Sequence, residues 1–452
     1  MGLSGKRQGI FLIGAGRSSQ YLIHYLIKHA QEGNWRLKIA DLQFSADFKS
    51  RMEAEEHVEL LLLDIKDSAA RQAAIQSADL VISMLPAHMH LEVAKDCIAF
   101  KKHMVTASYI SSEMKALEKE AKEAGVCMIN EIGVDPGIDH CSAMEEIDAI
   151  RDEGGKLLDF ETFTGGLVAP DSDTNPWNYK FSWNPRNVVI AGQGGAVKFI
   201  QEGTYKYIPY HKLFRRTELI QIKGHGRFEG YANRDSLKYR QVYGLEDIRT
   251  MFRGTLRKPG FCRAWDAFIQ LGATDDSYVI ENSAELSFRD FINLFLPYNP
   301  HDSVELKLRH YLNLAHDEME LFDKLAWLDI FEEIPVALER ATPAQILQKI
   351  LERKWKLEAG DHDMIVMWHK FVYEIEGREK EKHSSMVLLG DDQFTAMSKS
   401  VGLPVALAAR LILKGSIQES GIHVPIKKAM YQPILKALEE EGIAFKKELF
   451  RP

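Results

Sequence analysis

The feature that most constrains the fold is a strand, a glycine-rich turn and a helix in direct succession near the start of the chain. Residues 9–27, GIFLIGAGRSSQYLIHYLI, have an apolar run that ends at Ile13, a G-x-G-x-x-S turn and an amphipathic pattern. The first glycine of such a turn permits its tight bend, and the second lets the backbone approach a pyrophosphate held by N–H groups at the helix start. A glycine turn without a ligand is the alternative. The succession predicts dinucleotide contacts from Gly14, Ala15, Gly16, Arg17 and Ser18.

The same strand and helix alternation continues through the first 130 residues. Six short apolar runs occur at 9–13, 37–40, 58–63, 80–83, 103–106 and 126–129. Continuous apolar strands suit a parallel sheet that is covered by helices on both faces, and right-handed crossovers make such a sheet doubly wound. The predicted fold class is therefore α/β, with an N-terminal Rossmann doubly wound parallel sheet.

The remainder of the chain mixes strands, Gly/Pro turns and helices. It predicts a second α+β domain with a mixed sheet, into which a small helical domain is inserted. Two long strands joined near Gly377 complete the second sheet, and a helix begins at Thr342-Pro343. The predicted boundaries are 1–134 for the first domain, with a helix pair at about 390–425 packing back on it, 135–285 plus 360–389 and 430–452 for the second, and 286–359 for the insertion.

Asp41 bears on the choice of nucleotide. It ends the second predicted strand 22 residues after Ser19, close to the roughly 20-residue offset of the acid that binds the adenosine ribose. A carboxylate there would repel a 2′-phosphate by about 4 kcal/mol per unit charge at 4 Å in partly screened surroundings. NAD is therefore expected in preference to NADP. NADP stays open, because Arg17 or Lys49 could reach a phosphate and Asp41 could merely cap the following turn.

Other coenzyme contacts are expected where the parallel strands end, since open α/β sheets bind ligands at that edge. The candidate positions are Asp64, Ile65, Ser83, Leu85 and Ile132.

Composition excludes several classes of protein. The 452 residues carry a net charge of −8, which argues against a nucleic-acid partner. The longest apolar run, 403–413, falls far short of the roughly 20 residues that span a bilayer, so no membrane association, export or anchoring is expected. Four scattered cysteines without a C-x-x-C pair predict free thiols in a reducing compartment, hence a cytoplasmic protein without cysteine-based metal sites.

Six longer motifs carry a family resemblance. They are SYIS at 108–111, NEIGVDPGIDH at 130–140, TGGLVAP at 164–170, NPWNYKFSW at 175–183, NRDS at 233–236 and RGTLR at 253–257. With the late segments DMIVMWHKF and SVGLPVALA, this set resembles the glutamate-forming saccharopine dehydrogenases, also called saccharopine reductases, over nearly the whole chain.

The resemblance implies three domains, a homodimer and an NAD- or NADP-dependent oxidoreductase of lysine metabolism. The implied reaction interconverts saccharopine, a small amino-acid substrate, with L-glutamate and 2-aminoadipate 6-semialdehyde. Hydride transfer at the C–N carbon is coupled to hydrolysis or condensation of an imine. Two alternatives remain. One is a reductive condensation in polyamine synthesis like that of carboxynorspermidine dehydrogenase, and the other is a non-catalytic nucleotide-binding protein.

Substrate charge indicates which residues the pocket needs. Saccharopine has three carboxylates, and arginine binds a carboxylate through two parallel hydrogen bonds. The resemblance assigns substrate contacts to Arg234 and Arg253, with Gly254 and Thr255 assisting; Trp183 and Arg186 are weaker candidates. Against this, arginines in such domains are more often solvated or paired with acids.

The chemistry also needs a base that takes the amine proton. Asp135 is the predicted base because its turn follows the sixth strand, and Tyr109 could orient it or relay protons. The resemblance places Ser108, Tyr109 and Asp135 in the active site; a turn aspartate and a packing tyrosine are the alternatives. Thr164 stands where the relatives carry cysteine before Gly-Gly, which leaves the detailed chemistry or the exact substrate open.

One further cluster is set aside. His88 and His90 are two residues apart, so they do not face one ligand on a helix, and a solvated helix start is expected there. No metal site is predicted.

Overall fold

The computed structural model describes residues 7–233, 235–315 and 318–450 and divides the chain into two compact units. The first unit runs through Gly155 and resumes over Gln393–Lys446. The second unit comprises Lys156–Asp392 and the residues after Lys446.

A parallel sheet of seven strands forms the centre of the first unit. Its strands are β1 (Gln8–Ile13), β2 (Trp35–Asp41), β3 (Val58–Leu62), β4 (Leu80–Ser83), β5 (His103–Val105), β6 (Cys127–Ile129) and β15 (Gly421–His423). Their order is β3-β2-β1-β4-β5-β6-β15, and every pairing is parallel. This is the Rossmann order with one added strand, so the predicted fold class is confirmed, and all carboxyl ends lie at one edge.

Helices flank this sheet. They are α1 (Gln20–Lys28), α2 (Ala30–Gly33), α3 (Ala46–Glu53), α4 (Ser68–Gln76), α5 (His90–Ala99), α6 (Ser112–Ala116), α7 (Glu118–Glu123), α8 (Ile138–Asp152), α16 (Ala396–Leu413) and α17 (Lys428–Glu440). Side chains of Ser45, Asp67 and Ser111 accept backbone N–H groups at the starts of α3, α4 and α6, as N-caps do.

The region predicted as a helix pair is one continuous helix, α16, with Pro404 inside it. By length and hydropathy alone α16 could cross a membrane. Most of its residues are buried, however, and a β-carbon on Gly402 would lie 2.7 Å from the backbone nitrogen of Leu22 in α1. This close packing is typical of a core helix.

The two units divide the chain differently from the predicted domains at two helices. α8 and α17 belong to the first unit, whereas the sequence pattern assigned both to the second domain. Tyr431 of α17 donates its hydroxyl hydrogen to Asp148 of α8 at 2.7 Å, so the two helices are held to each other. The division into three domains stays a prediction.

A mixed sheet organises the second unit. Its strands are β7 (Lys156–Val168), β8 (Val197–Gln201), β9 (Thr204–Ile208), β10 (Thr217–Ile222), β11 (Gly226–Ala232), β12 (Thr250–Arg257), β13 (Asp363–Ile375), β14 (Arg378–Leu389) and β16 (Lys446–Phe450). The path is β10-β11-β12-β7-β13-β14-β16, with β8 pairing with β12 and β9. β12 and β7 are parallel, whereas β10–β11, β11–β12, β12–β8, β7–β13, β13–β14 and β8–β9 are antiparallel pairs. The predicted hairpin turns at Gly377, whose φ is 72°.

Helices of the second unit build its apolar core. They are α9 (Pro185–Val189), α10 (Lys238–Val242), α11 (Phe261–Leu271), α12 (Phe288–Asn293), α13 (Val304–Tyr311), α14 (Met319–Trp327) and α15 (Pro343–Lys354). α15 begins as predicted, with Thr342 as the N-cap of a capping box and Pro343 in the first turn. Aromatic side chains such as Trp177, Trp265 and Trp355 are fully buried between these helices and the sheet.

Candidate active site

The glycine-rich turn has the geometry of a backbone cradle. Gly14 has φ 100°, and a β-carbon there would lie 2.8 Å from the backbone oxygen of Met84, just after β4. Gly16 is exposed, and a β-carbon on it would meet nothing within 4 Å. Ser19, at the third small position, is buried and its hydroxyl donates to the Gly14 carbonyl at 2.8 Å. Only glycine fits the first position, and the space beside the second is open to a ligand, so the turn fits a dinucleotide pyrophosphate.

Asp41 is bound to this turn. One carboxylate oxygen accepts the backbone N–H of Ala15 at 2.7 Å, and the other accepts that of Leu42 at 2.7 Å. The half-buried side chain thus ties the end of β2 to the glycine turn. These two N–H groups partly neutralise the charge of the Asp41 carboxylate. The spacing between Ser19 and Asp41 in the sequence could not reveal these hydrogen bonds.

The remaining predicted coenzyme positions lie at the carboxyl edge of the sheet. Exposed Asp64 accepts the N–H of Lys66, whereas Ile65 and Ile132 are buried and Leu85 is half-buried. Arg17 is exposed and Ser18 half-buried in the short 3-10 turn that precedes α1. The topology therefore brings the predicted positions to one edge, while their contacts with a coenzyme stay predictions.

His90 corrects the expectation of a solvated helix start. His88 is exposed, but His90 is 3% exposed, with Nδ1 2.8 Å from the Ser83 hydroxyl and Nε2 2.7 Å from the Ser108 hydroxyl. Burial, aided slightly by His88, lowers the pKa of His90 to about 4. The i, i+2 spacing of His88 and His90 could not predict these contacts, because it describes only how the two histidines lie relative to each other.

Tyr109 and Asp135 come together as the resemblance implies. The Tyr109 hydroxyl donates to Oδ1 of Asp135 at 3.2 Å, and both side chains are half-buried. Tyr109 follows β5 and Asp135 follows β6, so adjacent parallel strands bring them to one edge. The phenol is the donor in this hydrogen bond, so it fixes the orientation of the Asp135 carboxyl group.

Glu131 holds the segment that carries Tyr109. Its backbone N–H donates to the Ser108 carbonyl at 3.1 Å, and Oε1 accepts the N–H of Ile110 at 2.9 Å. Oε2 lies 2.8 Å from Nε2 of His140, and both side chains are buried. Both residues belong to the NEIGVDPGIDH motif, and the available signal was a glutamate and a histidine at positions that the structure buries.

In the second unit, Arg253 lies within β12 and is 7% exposed. Its guanidinium carbon is 4.2 Å from the centre of the Tyr239 ring. Its backbone N–H donates to the Ser236 hydroxyl at 3.0 Å, and its carbonyl accepts the N–H of Asn233 at 2.8 Å. The structure therefore joins the NRDS and RGTLR motifs. Arg234 itself lies outside the described residues.

Gly254 and Thr255 have different surroundings. A β-carbon on Gly254 would lie 2.2 Å from the Phe163 ring, so this glycine makes room for the core. Thr255 pairs with Thr164 across β12 and β7, and it shares a face with Arg253 because alternate strand residues point the same way. The Thr164 hydroxyl is buried and has no hydrogen-bond partner among the described residues. This face therefore carries one polar group that a ligand or water can satisfy.

Two weaker candidates differ in their partners. Trp183 is half-buried and packs against the apolar core of the second unit. Arg186 donates to the carboxylate of Asp276, which also accepts the Thr342 hydroxyl. The contact with Asp276 uses only part of the guanidinium of Arg186, because its Nη1 is buried without a hydrogen-bond partner among the described residues.

Arg257 is a basic residue that the sequence analysis passed over. It is 4% exposed and donates to the Leu256 carbonyl at 2.8 Å. Its guanidinium lies 5.0 Å from the Tyr179 ring centre and 5.3 Å from that of Phe261. Its place at the end of RGTLR, four residues after Arg253, was the available signal. The aromatic cage explains how a cation is tolerated there.

Comparisons with known proteins agree with this architecture. Residues 10–129 match the family model of the saccharopine dehydrogenase NADP binding domain, and residues 133–443 match that of the saccharopine dehydrogenase C-terminal domain. The structure is similar to apo saccharopine dehydrogenase (L-Glu forming) from Saccharomyces cerevisiae, with a TM-score of 0.88, 29% identity, and coverage of 98% of this chain and 100% of that one.

Curated relatives fall into two length classes. Saccharopine dehydrogenase [NADP(+), L-glutamate-forming] of Schizosaccharomyces pombe is 31% identical, with 97% of this chain and 98% of that protein covered. Mitochondrial alpha-aminoadipic semialdehyde synthase of Bos taurus is 32% identical over 98% of this chain. The chain spans 48% of the length of that bovine protein.

These similarities bear on the coenzyme and on the family. The first-unit domain is a dinucleotide-binding domain of the type named for NADP. The expected preference for NAD is not supported, because the family model and the near full-length relatives carry NADP in their names, and because Asp41 binds the backbone of its own glycine turn. The family models together span most of the chain and the fold agrees along its length, so this chain belongs to the saccharopine dehydrogenase family.

Proposed function

We propose that this chain oxidises saccharopine to L-glutamate and 2-aminoadipate 6-semialdehyde, and catalyses the reverse reductive condensation. The similarity to relatives of nearly the same length that are named for this reaction supports the proposal. The observation that carries it is the hydrogen bond from Tyr109 to Asp135 at the carboxyl edge of a Rossmann sheet. A non-catalytic nucleotide-binding protein would have no need of a half-buried carboxylate and phenol there.

The glycine turn fits the coenzyme, since Gly14 permits the close approach to β4 and the space beside Gly16 is open. When bound, the nicotinamide coenzyme supplies the hydride acceptor for oxidation and the donor for condensation. Gly14, Ala15, Gly16 and the start of α1 would hold its pyrophosphate. Arg17, exposed beside the turn, is the nearest candidate in this segment for a cationic contact with phosphate.

For the choice of coenzyme, we infer that the chain uses NADP and also accepts NAD. The names of the relatives favour NADP. Asp41 opposes a 2′-phosphate through its charge, and its hydrogen bonds to Ala15 and Leu42 reduce but do not remove that charge. Both coenzymes should therefore support turnover.

Asp135 is the proposed base. The reaction leaves the nitrogen on glutamate, so the carbon that is oxidised is the methylene of the other arm, which becomes the aldehyde. The carboxylate of Asp135 accepts the proton of the secondary amine as hydride leaves that methylene, and the Tyr109 hydroxyl keeps the carboxylate oriented. Water then adds to the imine carbon, both of its hydrogens pass to the nitrogen as the C–N bond breaks and the aldehyde forms, and the protonated Asp135 returns its proton to the amine of glutamate.

Arg253 is proposed to bind a substrate carboxylate. Its guanidinium stacks on Tyr239 and its backbone is fixed by Ser236, so little side-chain freedom remains to be lost on binding. Arg234 and Thr255 would assist, and Ser108 is proposed to donate its hydroxyl hydrogen to a substrate carboxylate.

The compartment and the assembly are further proposals. The four cysteines are buried and free, and burial raises the pKa of the Cys97, Cys141 and Cys262 thiols and that of Cys127 to about 12. Thiols of this kind suit a reducing compartment such as the cytoplasm. A homodimer is proposed from the resemblance, and sedimentation of the purified chain tests it.

The test is turnover with a panel of substrates. Saccharopine is offered with NADP and separately with NAD, and reduced coenzyme, glutamate and semialdehyde are quantified. The reverse assay offers the semialdehyde with glutamate and reduced coenzyme, and a matched assay offers aspartate semialdehyde with a diamine and reduced coenzyme. Saccharopine turnover supports the proposal. Turnover restricted to the diamine assay would instead favour the polyamine reaction, and coenzyme binding without turnover would favour a non-catalytic protein.

A further inference from the structure

We propose that His90 is a positioning residue that sets the direction of the Ser108 hydroxyl hydrogen, and that it does so as the neutral tautomer protonated on Nε2. The proposal rests on the proposed function in one respect, since it takes a substrate carboxylate as the partner of Ser108. His90 itself is not expected to touch substrate or coenzyme.

The geometry links two strand ends through one imidazole. Ser83 ends β4 and Ser108 follows β5, and the ring of His90 spans them with contacts of 2.8 Å and 2.7 Å. Ser83 is fully buried and His90 is 3% exposed, whereas Ser108 is half-buried. The chain of hydrogen bonds therefore begins inside the first unit and ends at a side chain that solvent can reach.

A neutral imidazole fixes the roles of both hydroxyls. It has one N–H donor and one lone-pair acceptor, so one serine must accept from the ring while the other donates to it. Burial disfavours the charged ring, for which both nitrogens would be donors. The two serine hydroxyls are thus coupled: fixing the direction of one fixes the other.

Substrate chemistry selects between the two directions. An ionised carboxylate only accepts hydrogen bonds. For Ser108 to donate to it, the Ser108 oxygen must accept the hydrogen of Nε2–H. Nδ1 is then the acceptor and receives the Ser83 hydroxyl hydrogen. His90 holds the Ser108 hydroxyl in this orientation before substrate binds, so the hydroxyl need not be reoriented on binding.

Three variants and a control test the coupling. His90→Asn removes the donor at Ser108, His90→Gln places an amide donor near the position of Nε2, and Ser108→Ala removes the hydroxyl. His88→Asn is the matched control, since His88 is exposed and two residues away. We expect His90→Asn and Ser108→Ala each to raise KM for saccharopine about fivefold to tenfold with little change in kcat. His90→Gln should recover most of the loss, and His88→Asn should change nothing.

The double variant distinguishes positioning from general support of the fold. If His90 acts through Ser108, His90→Asn adds little to the KM of Ser108→Ala. The proposal would be overturned if the two substitutions raised KM independently, so that their fold-changes multiplied in the double variant. It would also be overturned if His90→Asn lowered kcat and thermal stability and His90→Gln did not restore them.

A spectroscopic test is independent of turnover. In the nitrogen-15 NMR spectrum of labelled protein, with the His90 signals assigned by their loss in His90→Asn, Nε2 should carry the hydrogen and Nδ1 should not. This pattern should persist from about pH 5.5 to about pH 8. A ring protonated on Nδ1 alone, or on both nitrogens, would contradict the proposal. If wild-type protein does not turn over saccharopine, the proposed function fails, and this spectrum still decides the tautomer.

Discussion

The carboxyl edge of the first sheet and the middle of β12 in the second unit both carry predicted site residues, but they are organised differently. At the first, each residue lies at the end of a parallel strand, so topology alone gathers Gly14, Asp41, Ser83 and Tyr109. At the second, Arg253 is positioned by stacking on Tyr239 and by hydrogen bonds from its backbone.

This difference shows what each kind of site requires. A strand-end site is specified by the order of the parallel strands and by the short turn that follows each strand. A site on the face of a mixed sheet depends on register, because Thr164 lies beside Thr255, on the face that Arg253 also occupies, only through the pairing of β12 with β7. Substitutions at the two sites should therefore change different kinetic constants.

The largest effect is expected at the strand ends. Asp135→Asn removes the base but keeps an acceptor for the Tyr109 hydroxyl, so kcat for saccharopine oxidation should fall about 10²- to 10⁴-fold. KM and coenzyme binding should change little. Steady-state kinetics gives kcat, and rapid mixing with detection of reduced coenzyme gives the rate constant of the chemical step. Retention of more than a tenth of wild-type kcat would remove Asp135 from the role of base.

The next effect separates the face of β12 from other arginines of the second unit. Arg253→Gln should lower kcat/KM for saccharopine by roughly 10- to 100-fold, the loss of a charged hydrogen bond of about 1.5–3 kcal/mol. Arg186→Gln is the control, because Arg186 is already paired with Asp276. Steady-state kinetics with both variants checks this. Equal losses in the two would mean that Arg253 has no special place in substrate binding.

A smaller effect concerns the coenzyme. Asp41→Asn removes a charge but keeps an oxygen that can accept the Ala15 N–H. The ratio of kcat/KM for NADP to that for NAD should rise about fivefold, the effect of about 1 kcal/mol for one charge pair at 4 Å in water. Titration with each coenzyme measures the ratio. An unchanged ratio would show that the Asp41 carboxylate does not sense the 2′-phosphate.

The last expected effect is on the free energy of unfolding rather than on turnover. The pKa of His90 is lowered to about 4 in the folded chain by burial, with a small contribution of the same sign from His88. Between about pH 6.5 and pH 4 the unfolded chain therefore binds more protons, and the free energy of unfolding falls as pH falls. Relative to His90→Asn, the wild type should lose about 2 kcal/mol more between about pH 7 and pH 5. Urea unfolding of both proteins at both pH values measures this difference. Equal losses of unfolding free energy in the wild type and in His90→Asn would indicate that His90 is not buried as a neutral ring.

Sequence alone predicted the strand-end site better than the other. The turn at Gly14 follows from its motif, and the family resemblance, with the rule that parallel strands end at one edge, placed Tyr109 and Asp135 in one region. The burial of His90 could not be predicted, because helix spacing ignores the serines that two other strands bring to it. Arg257 was missed because its aromatic cage is assembled from Tyr179 and Phe261, which lie on segments far apart in sequence.

The most direct measurement follows the hydride. The wild-type chain oxidises saccharopine that carries two deuterium atoms on the methylene carbon next to its nitrogen, on the aminoadipate arm. Mass spectrometry then measures the deuterium content of each product. The account predicts one deuterium in the reduced coenzyme, one in the semialdehyde and none in glutamate. Reduced coenzyme without deuterium, or deuterium retained in full by the amino-acid products, would contradict hydride transfer from that carbon.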